Sequence, residues 1–276
     1  MAIIQQVLQT LLLLFSIQLA FLICSGLGSN FMIGGDVLTA GGQNLTYMEY
    51  SLTLQSDCNL VLKNGSTRVW ETMTGGYSAE CYVTLDLNGK LAVWHPRFRY
   101  PLWSSGIMSQ VGYYALVLRY DGTLRIYGPQ LWSAGSSSAQ LTAGIVGWTW
   151  TKTTESVLYS GDVAPIGTTI VNGNNELTLL DDCNLVLNGD GATKWQTGVT
   201  DRTMHDCYVN LEANGELRVK HWGGDVLWTN RVASPTYSEF VLVLQTNAML
   251  TVYGPVIWSN VISGAVSGKI DTVSAD

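Results

Sequence analysis

Charged residues are scarce in this chain of 276 residues: Asp, Glu, Lys and Arg make up 13%, and 14 basic against 21 acidic side chains leave a net charge of −7. An acidic chain without a basic stripe is a poor partner for nucleic acid or an anionic membrane, both of which need clustered Lys and Arg. Histidine is rarer still, at 3 residues. His95, His205 and His221 are read as sharing no repeat position, forming no triad with a Ser or Cys, and lying on the surface or in hairpins. A long apolar run is also missing. The stretch from Leu11 to Cys24 is broken by Ser16 and Gln18 and falls short of the roughly 20 residues that a membrane span needs. No window downstream of it shows helical periodicity, so no helix is expected to compete with strands.

What the chain does have is glycine, at 29 residues, and aromatics, with 10 Trp and 13 Tyr; this composition suits short strands, many turns and a dense interior. Stretches of alternating apolar and polar residues flank tight-turn signals, as in Tyr82 to Trp94 around Asn88-Gly89. Asn64-Gly65, Asp121-Gly122 and Asn214-Gly215 serve equally well as hairpin turns. The chain also repeats itself. Gln55-Ser56-Asp57-Cys58-Asn59-Leu60-Val61-Leu62 recurs as Leu180-Asp181-Asp182-Cys183-Asn184-Leu185-Val186-Leu187, and Tyr127-Gly128-Pro129 recurs as Tyr253-Gly254-Pro255. A register held over that distance implies duplication of a whole domain. Within each half a shorter motif, apolar-Trp-x-(Ser/Thr/Asn), closes three segments. It occurs at Trp70, Trp103 and Trp132, then at Trp195, Trp228 and Trp258; Lys194 replaces the apolar residue before Trp195, and Ala134 closes the Trp132 copy. The simplest reading is an all-β protein with two domains of three repeats each, over residues 30–135 and 156–260.

The first 29 residues carry no charged side chain and read as a signal peptide, with Gly26 and Gly28 near the cleavage site, although the usual basic n-region is absent. Secretion, to an extracellular or vacuolar destination, is the expectation that follows. Removing that segment removes Cys24 and leaves Cys58 with Cys81 and Cys183 with Cys207, 23 and 24 residues apart. Two cysteines per domain without a His at ligand spacing cannot fill a zinc shell, so two intradomain disulfides are expected and no metal or cofactor. Each bridge should stabilise its domain by about 3 kcal/mol on the loop-entropy model. Residues 136–155 are rich in small polar residues where they begin, and residues 261–276 resemble them; both read as linker or processing segments. Asn44-Leu45-Thr46 and Asn64-Gly65-Ser66 are glycosylation sequons. Surface charge also differs between the halves: 30–135 holds seven acidic and seven basic residues, and 156–260 eleven acidic and five basic.

Gln55, Asp57, Asn59 and Val61 alternate along the chain and are expected on one face of a strand. An amide, a carboxylate, a second amide and a branched apolar group suit the vicinal hydroxyls and ring carbons of a sugar; the plainer reading is a solvated strand face. At these residues the chain resembles the monocot mannose-binding lectins, the bulb-type or snowdrop-type lectins, whose signature is Gln-x-Asp-x-Asn-x-Val-x-Tyr. The resemblance runs from Asn30 to Asn260 and takes in the Asp-Cys-Asn-Leu-Val-Leu core, the cysteine spacing and the tryptophan motifs. It implies tandem β-prism II domains, each of three four-stranded antiparallel sheets about a pseudo-threefold axis, with one Trp per repeat packed toward the centre. It further implies binding of mannose or high-mannose glycans, a defence role, and a dimer or tetramer, with the two domains as a heterodimer if the linker is cut.

The copies depart from that signature to different degrees. Gln55, Asp57, Asn59 and Val61 match, with Lys63 where the family has Tyr. The second-domain counterpart runs Leu180, Asp182, Asn184, Val186 and Asn188. The middle copies, Asp86, Asn88, Lys90, Ala92, Trp94 and Glu212, Asn214, Glu216, Arg218, Lys220, keep little. The last copies, Arg119, Asp121, Thr123, Arg125, Tyr127 and Gln245, Asn247, Met249, Thr251, Tyr253, keep the Tyr. A mannose site is therefore expected at Gln55, Asp57, Asn59, Val61 and Lys63, and a weaker one at Asp182, Asn184, Val186 and Asn188. An enzyme is not expected, because no carboxylate pair or triad recurs with the repeats. A lectin-like storage or protein-interaction protein is the alternative reading. If 136–155 is a processing segment, deglycosylated protein from its native tissue should give two masses, each near half of the mature chain; one mass near the full mature chain would show that the segment survives.

Overall fold

In the computed structural model, residues 29–78, 80–135, 156–200 and 206–260 are described. The expected signal peptide, linker and tail, together with Cys24 and His205, lie outside the described residues, Ser29 excepted. Among the described residues there is no helix, and the 24 strands form six four-stranded antiparallel sheets.

Each sheet is built on a hairpin of the same kind. In the first complete one, Tyr50–Leu54 pairs with Leu60–Asn64, flanked by Leu45–Tyr47 on one side and Thr67–Glu71 on the other. Leu52, Leu54, Leu60 and Leu62 point into the unit's core, and the residues between them point outward. The hairpin loop runs Gln55-Ser56-Asp57-Cys58-Asn59: the Cys58 amide donates to the Gln55 carbonyl at 3.0 Å and the Gln55 amide to the Asn59 carbonyl at 2.9 Å. The fourth residue is left-handed, Cys58 with φ 78°. Gly89, Gly122, Cys183, Gly215 and Ala248 hold the same place in the other five hairpins, with φ between 60° and 79°. This is a three-residue hairpin loop ending in a left-handed bulge residue.

The first core collects leucines and valines of the amino-terminal half around Cys58 and Cys81, and the second does the same around Cys183 and Cys207. Both expected disulfides form, with Cα atoms 5.5 Å apart for Cys58–Cys81 and 5.8 Å for Cys183–Cys207. The two units are not self-contained, however, and here the structure departs from the expectation that 30–135 and 156–260 each complete their own three sheets. The carboxy-terminal strand Val256–Ser259 pairs with Leu124–Tyr127 in the first unit, in a sheet with Phe31–Ile33 and Ala115–Leu118. In return Gln130–Gly135 pairs with Met249–Tyr253 in the second unit, beside Val241–Leu244 and Val157–Tyr159.

The exchange carries the tryptophans with it. Trp70, Trp103 and Trp258 form one triangle, with ring centroids 5.5, 6.3 and 6.2 Å apart and all three contacts edge to face. Trp132 leaves its own half to complete the other triangle with Trp195 and Trp228, at 5.8, 6.3 and 5.5 Å. Such pairs contribute about 0.5–1.5 kcal/mol each beyond the area they bury. The two exchanged sheets then pack on each other. Ala115, Val117 and Tyr127 of one and Val157, Tyr159, Val241, Val243 and Tyr253 of the other form a third buried cluster. Both faces of Ala115–Leu118 and Val241–Leu244 are consequently buried.

The tetrad motif has a structural reason in this arrangement. Its last residue sits opposite the first apolar residue after the hairpin loop and accepts that residue's amide: Leu60 to Thr72 at 3.1 Å, Leu91 to Ser105 at 3.2 Å, Leu124 to Asn260 at 2.8 Å, Leu185 to Thr197 at 3.1 Å and Leu217 to Asn230 at 3.3 Å. Ser, Thr and Asn supply a side-chain oxygen at the right reach; Ala134 has none.

Because Trp258 belongs to the first unit, Trp258→Ala should destabilise the half of the molecule farther from it in sequence. Trp258 is partly buried, so the expected cost is about 3 kcal/mol, the low end for Trp truncations. Partial reduction in mild denaturant, read by mass spectrometry, should open Cys58–Cys81 before Cys183–Cys207. Opening in the reverse order would contradict the exchanged packing.

Candidate functional site

The expected row of Gln55, Asp57, Asn59 and Val61 does not lie along one strand. Gln55, Asp57 and Asn59 occupy the hairpin loop, and only Val61 and Lys63 belong to the strand Leu60–Asn64. The loop bends because Asp57 turns its carboxylate back onto the chain, where Oδ1 accepts the Asn59 amide at 3.0 Å. A short acidic or amide side chain that bonds its own backbone two residues on is the usual stabiliser of such a turn. All six loops use it. Asn88 accepts from Lys90, Asp121 from Thr123, Asp182 from Asn184, Asn214 from Glu216 and Asn247 from Met249, at 3.0 to 3.3 Å. The Asp or Asn of the repeat is thus required by the turn, whatever else it does.

Asn59 is buried and tightly held. Its Oδ1 accepts the Thr72 hydroxyl at 3.2 Å and the Thr74 amide at 3.3 Å, which orients the amide and leaves Nδ2 to donate to Glu71 Oε2 at 2.5 Å. Thr72 and Thr74 are themselves joined at 2.8 Å, and the Thr74 hydroxyl donates to the Cys58 carbonyl at 2.6 Å. Arg68 Nη1 donates to both oxygens of Glu71, at 2.7 and 2.8 Å. The hydrogen bonds from Arg68 and then from Asn59 hold the Glu71 carboxyl below its ordinary value of 4.5. Asp57 is exposed, and its second oxygen faces Gly75 so closely that a Cβ there would lie 2.8 Å away. Gln55 and Lys63 are half-buried, and Lys63 sits across from Ser51 and Arg68 in the sheet.

Val61 is fully buried. In the sheet it stands between Thr53 and Glu71. Glu71 is the residue that the signature did not reveal. Its signal was present in the tetrad Val69-Trp70-Glu71-Thr72, where the variable position opposes Val61.

The second-unit copy has the same build without a counterpart of the Arg68–Glu71 pair. Asn184 Oδ1 accepts the Thr197 hydroxyl at 2.9 Å and the Gly198 amide at 3.0 Å, and Nδ2 donates to Gln196 at 3.0 Å. Gln196 therefore stands where Glu71 does. Asn188 accepts the Thr193 hydroxyl at 2.9 Å, Val186 is buried, and Leu180 is exposed.

The other four copies are closed by their own side chains or by the partner unit. Around Asn88, Lys90 pairs with Asp86 at 3.3 Å and lies over the Trp94 ring, while Trp94 donates to Thr84 at 3.0 Å. Around Asn214, Arg218 bridges Glu212 at 3.1 Å and Glu216 at 2.6 Å, Lys220 reaches Glu212 at 3.7 Å, and Thr229 donates to Glu216. The third copies face the interface between units. Arg119 Nη1 donates to Glu239 at 2.7 Å and to Tyr127 at 3.3 Å, and Arg125 also binds Glu239. Burial alone would raise Glu239; the Arg125 bond and the two guanidinium charges take it below the usual range instead. Gln245 is buried and donates to Thr251 and Tyr253, both at 3.0 Å.

The histidine reading needs correction. His95 and His221 stand 126 residues apart, as Cys81 and Cys207 do, and both are buried rather than on the surface. His221 Nδ1 lies 2.6 Å from Asp206 Oδ1, and His95 Nδ1 accepts the Arg97 amide at 3.1 Å. The asparagines of both sequons, Asn44 and Asn64, are partly exposed at or beside strand ends. Among the described residues no group of three or more His, Cys, Asp or Glu is arranged to hold a metal ion, and no helix is long and apolar enough to cross a membrane.

No family model matches the chain. Over 237 residues it is 32% identical to mannose-specific lectin 2 of Colocasia esculenta, covering 84% of this chain and 85% of that one. It is equally identical, 32% over 237 residues, to mannose-specific lectin 1 of Remusatia vivipara, covering 84% and 87%. Among solved structures it is similar to the fetuin-binding agglutinin of Scilla campanulata, a two-domain lectin. That match has a TM-score of 0.73 at 29% identity and covers 84% of this chain and all of the other.

The Asn59 to Glu71 bond sets a pH dependence. Glu71 titrates below its ordinary value in the folded protein, so the bond is fully present above about pH 4.5 and is lost as pH falls through the lower, folded value. The Asn59 side-chain amide resonance should stay fixed from neutral pH to about 4.5 and move only below it. Movement between about pH 7 and 5 would show that the carboxylate is not held this way.

Proposed function

This chain belongs to the family of monocot mannose-specific lectins, and on that premise we propose that it binds mannose-containing glycans, as a lectin rather than an enzyme, through the two loops around Asp57 and Asp182. One observation carries the reading: of the six equivalent loops, these are the two in which an ordered Asn amide, Asn59 or Asn184, stands beside a turn carboxylate, with no ion pair among the described residues of the loops themselves, the Arg68–Glu71 pair lying on the neighbouring strand. Each offers a carboxylate oxygen to accept hydroxyls and an oriented amide with a second Nδ2 hydrogen to donate. The first loop adds Gln55, Lys63 and the remaining acceptor capacity of Glu71; the second adds Gln196 and Asn188.

Shallow monosaccharide sites of this kind are weak. A few hydrogen bonds at about 0.5–1.5 kcal/mol net each correspond to millimolar affinity, near −4 kcal/mol. Two such sites on one chain, multiplied in a dimer or tetramer, would supply avidity for high-mannose glycans. Secretion to an extracellular or vacuolar space, glycosylation at Asn44 or Asn64, and a role in plant defence fit this reading. The closure of four loops out of six favours a second one, a storage or protein-interaction protein on the same scaffold.

Asp57→Asn separates binding from folding, because Asn fills the same turn position at Asn88, Asn214 and Asn247. Its melting temperature should be unchanged, while affinity of the first loop for methyl mannoside should fall by about ten-fold or more with the loss of charge-assisted bonds. Lys63→Tyr should raise that affinity several-fold by restoring the hydroxyl of the family signature. Titration calorimetry on the wild type and both variants checks this. Wild-type protein that neither binds mannoside nor is retained on a mannose column would favour the storage reading.

A further inference from the structure

An aromatic cluster adjoins the Asp57 loop and is not used by the site described above. Tyr77 and Phe98 meet edge to face with centroids 5.5 Å apart. Both rest on His95, at 5.7 Å from Tyr77 and 5.3 Å from Phe98. The support is buried, His95 at 3% exposure, while Tyr77 and Phe98 are 42% and 46% exposed. The cluster is held in place: the Phe98 amide donates to the His95 carbonyl at 3.0 Å, and the Arg97 amide fixes the imidazole through Nδ1. Neighbouring aromatics fixed in place yet left open to water are characteristic of a contact surface.

The ledge is joined to the loop through the backbone. The Tyr77 amide donates to the Asp57 carbonyl at 3.2 Å. Gly75 and Gly76, the two residues before Tyr77, carry no side chain. Gly75 lies against Asp57, and nothing comes within 4 Å of where a Cβ of Gly76 would be. The repeat-equivalent turn of the second unit also carries an exposed aromatic, Trp222 over Tyr208 at 4.5 Å between centroids.

We propose that Tyr77 and Phe98 form a second sugar subsite, which takes the hexose linked to the mannose held at Asp57 and Asn59. This rests on the mannose reading above. The C–H face of a hexose ring carries partial positive charge and packs on the negative face of an aromatic ring, here Phe98, while the Tyr77 hydroxyl is available to the sugar's own hydroxyls. The Asp57 loop would accordingly distinguish oligosaccharides from single residues, and the ledge sets that preference.

The test compares methyl mannoside with mannobiose by titration calorimetry on the full protein and on Phe98→Ala and Phe98→Leu. Leu keeps apolar volume in the turn while removing the ring face. The wild type is expected to bind mannobiose about three- to ten-fold more tightly than methyl mannoside. Both variants should bind methyl mannoside as the wild type does and lose that preference. A wild type without preference, or a Phe98→Leu variant that keeps it, overturns the subsite. A variant with unchanged melting temperature that loses both ligands also overturns it, because Phe98 would then belong to the mannose pocket. Wild-type protein that binds neither ligand refutes the mannose reading, and the subsite with it.

Discussion

The two triangles of edge-to-face indoles are the constraint on which the rest of the molecule depends. Each unit contributes two tryptophans and needs a third, and the third comes from the other half of the chain, Trp258 for the first unit and Trp132 for the second. Delivering them means exchanging the strands that bear them. The sheets receiving those strands must then lie side by side, and their outward faces become the interface built on Tyr127, Tyr159 and Tyr253. Two of the six repeat copies thereby give their Tyr, Tyr127 and Tyr253, to that interface. Their side chains have been put to other use, as in the Arg119, Arg125 and Glu239 cluster that ties one unit to the other. The conversion is imperfect: Arg119 Nε, Arg125 Nε and Gln245 Oε1 are buried without a hydrogen-bond partner among the described residues, a cost that apolar packing nearby must offset.

A second constraint operates inside every loop. The Asp or Asn at the tip holds the turn by accepting the backbone amide two residues on, and it does so in loops that keep the sugar-binding signature and in loops that have lost it. Its presence therefore says little about a ligand. The informative positions are the next polar residue and the one facing it across the sheet, Asn59 with Glu71 and Asn184 with Gln196. Where the Asn is replaced by a charged residue, as at Lys90, which pairs with Asp86, or at Glu216, which pairs with Arg218, the side chains of the copy satisfy one another and the loop closes. Substitution within a repeat thus leaves the fold intact while changing what the loop can receive.

The all-β class, the duplication, the strand and turn positions and both disulfides follow from local pattern: period-two alternation, Asn-Gly and Asp-Gly bends, and matched cysteine spacing. These are legible because each depends on residues close in sequence or on the repeat itself. The loop of the most complete signature copy was also visible by composition, but its geometry was not. Gln55, Asp57 and Asn59 look like one face of a strand until the left-handed Cys58 folds them into a turn. The repeat relation of His95 and His221 was open to view as well, at the 126-residue spacing of Cys81 and Cys207; their burial was not.

What the sequence by itself determined was which residues alternate, which turn and which recur. What only the tertiary structure decided was partnership: which strand completes which sheet, which tryptophan closes which triangle, and which loops remain open. Strand exchange leaves no local mark, because Val256–Ser259 and Gln130–Gly135 are equivalent by repeat and either could close either unit. The nearest sequence signal was the unbroken apolar runs of Tyr114 to Leu118 and Phe240 to Leu244, which fit strands buried on both faces. Such a run records that a face is covered without recording what covers it. The physical reason is that burial is non-directional, so the identity of the covering partner is settled when two particular surfaces meet in the folded molecule.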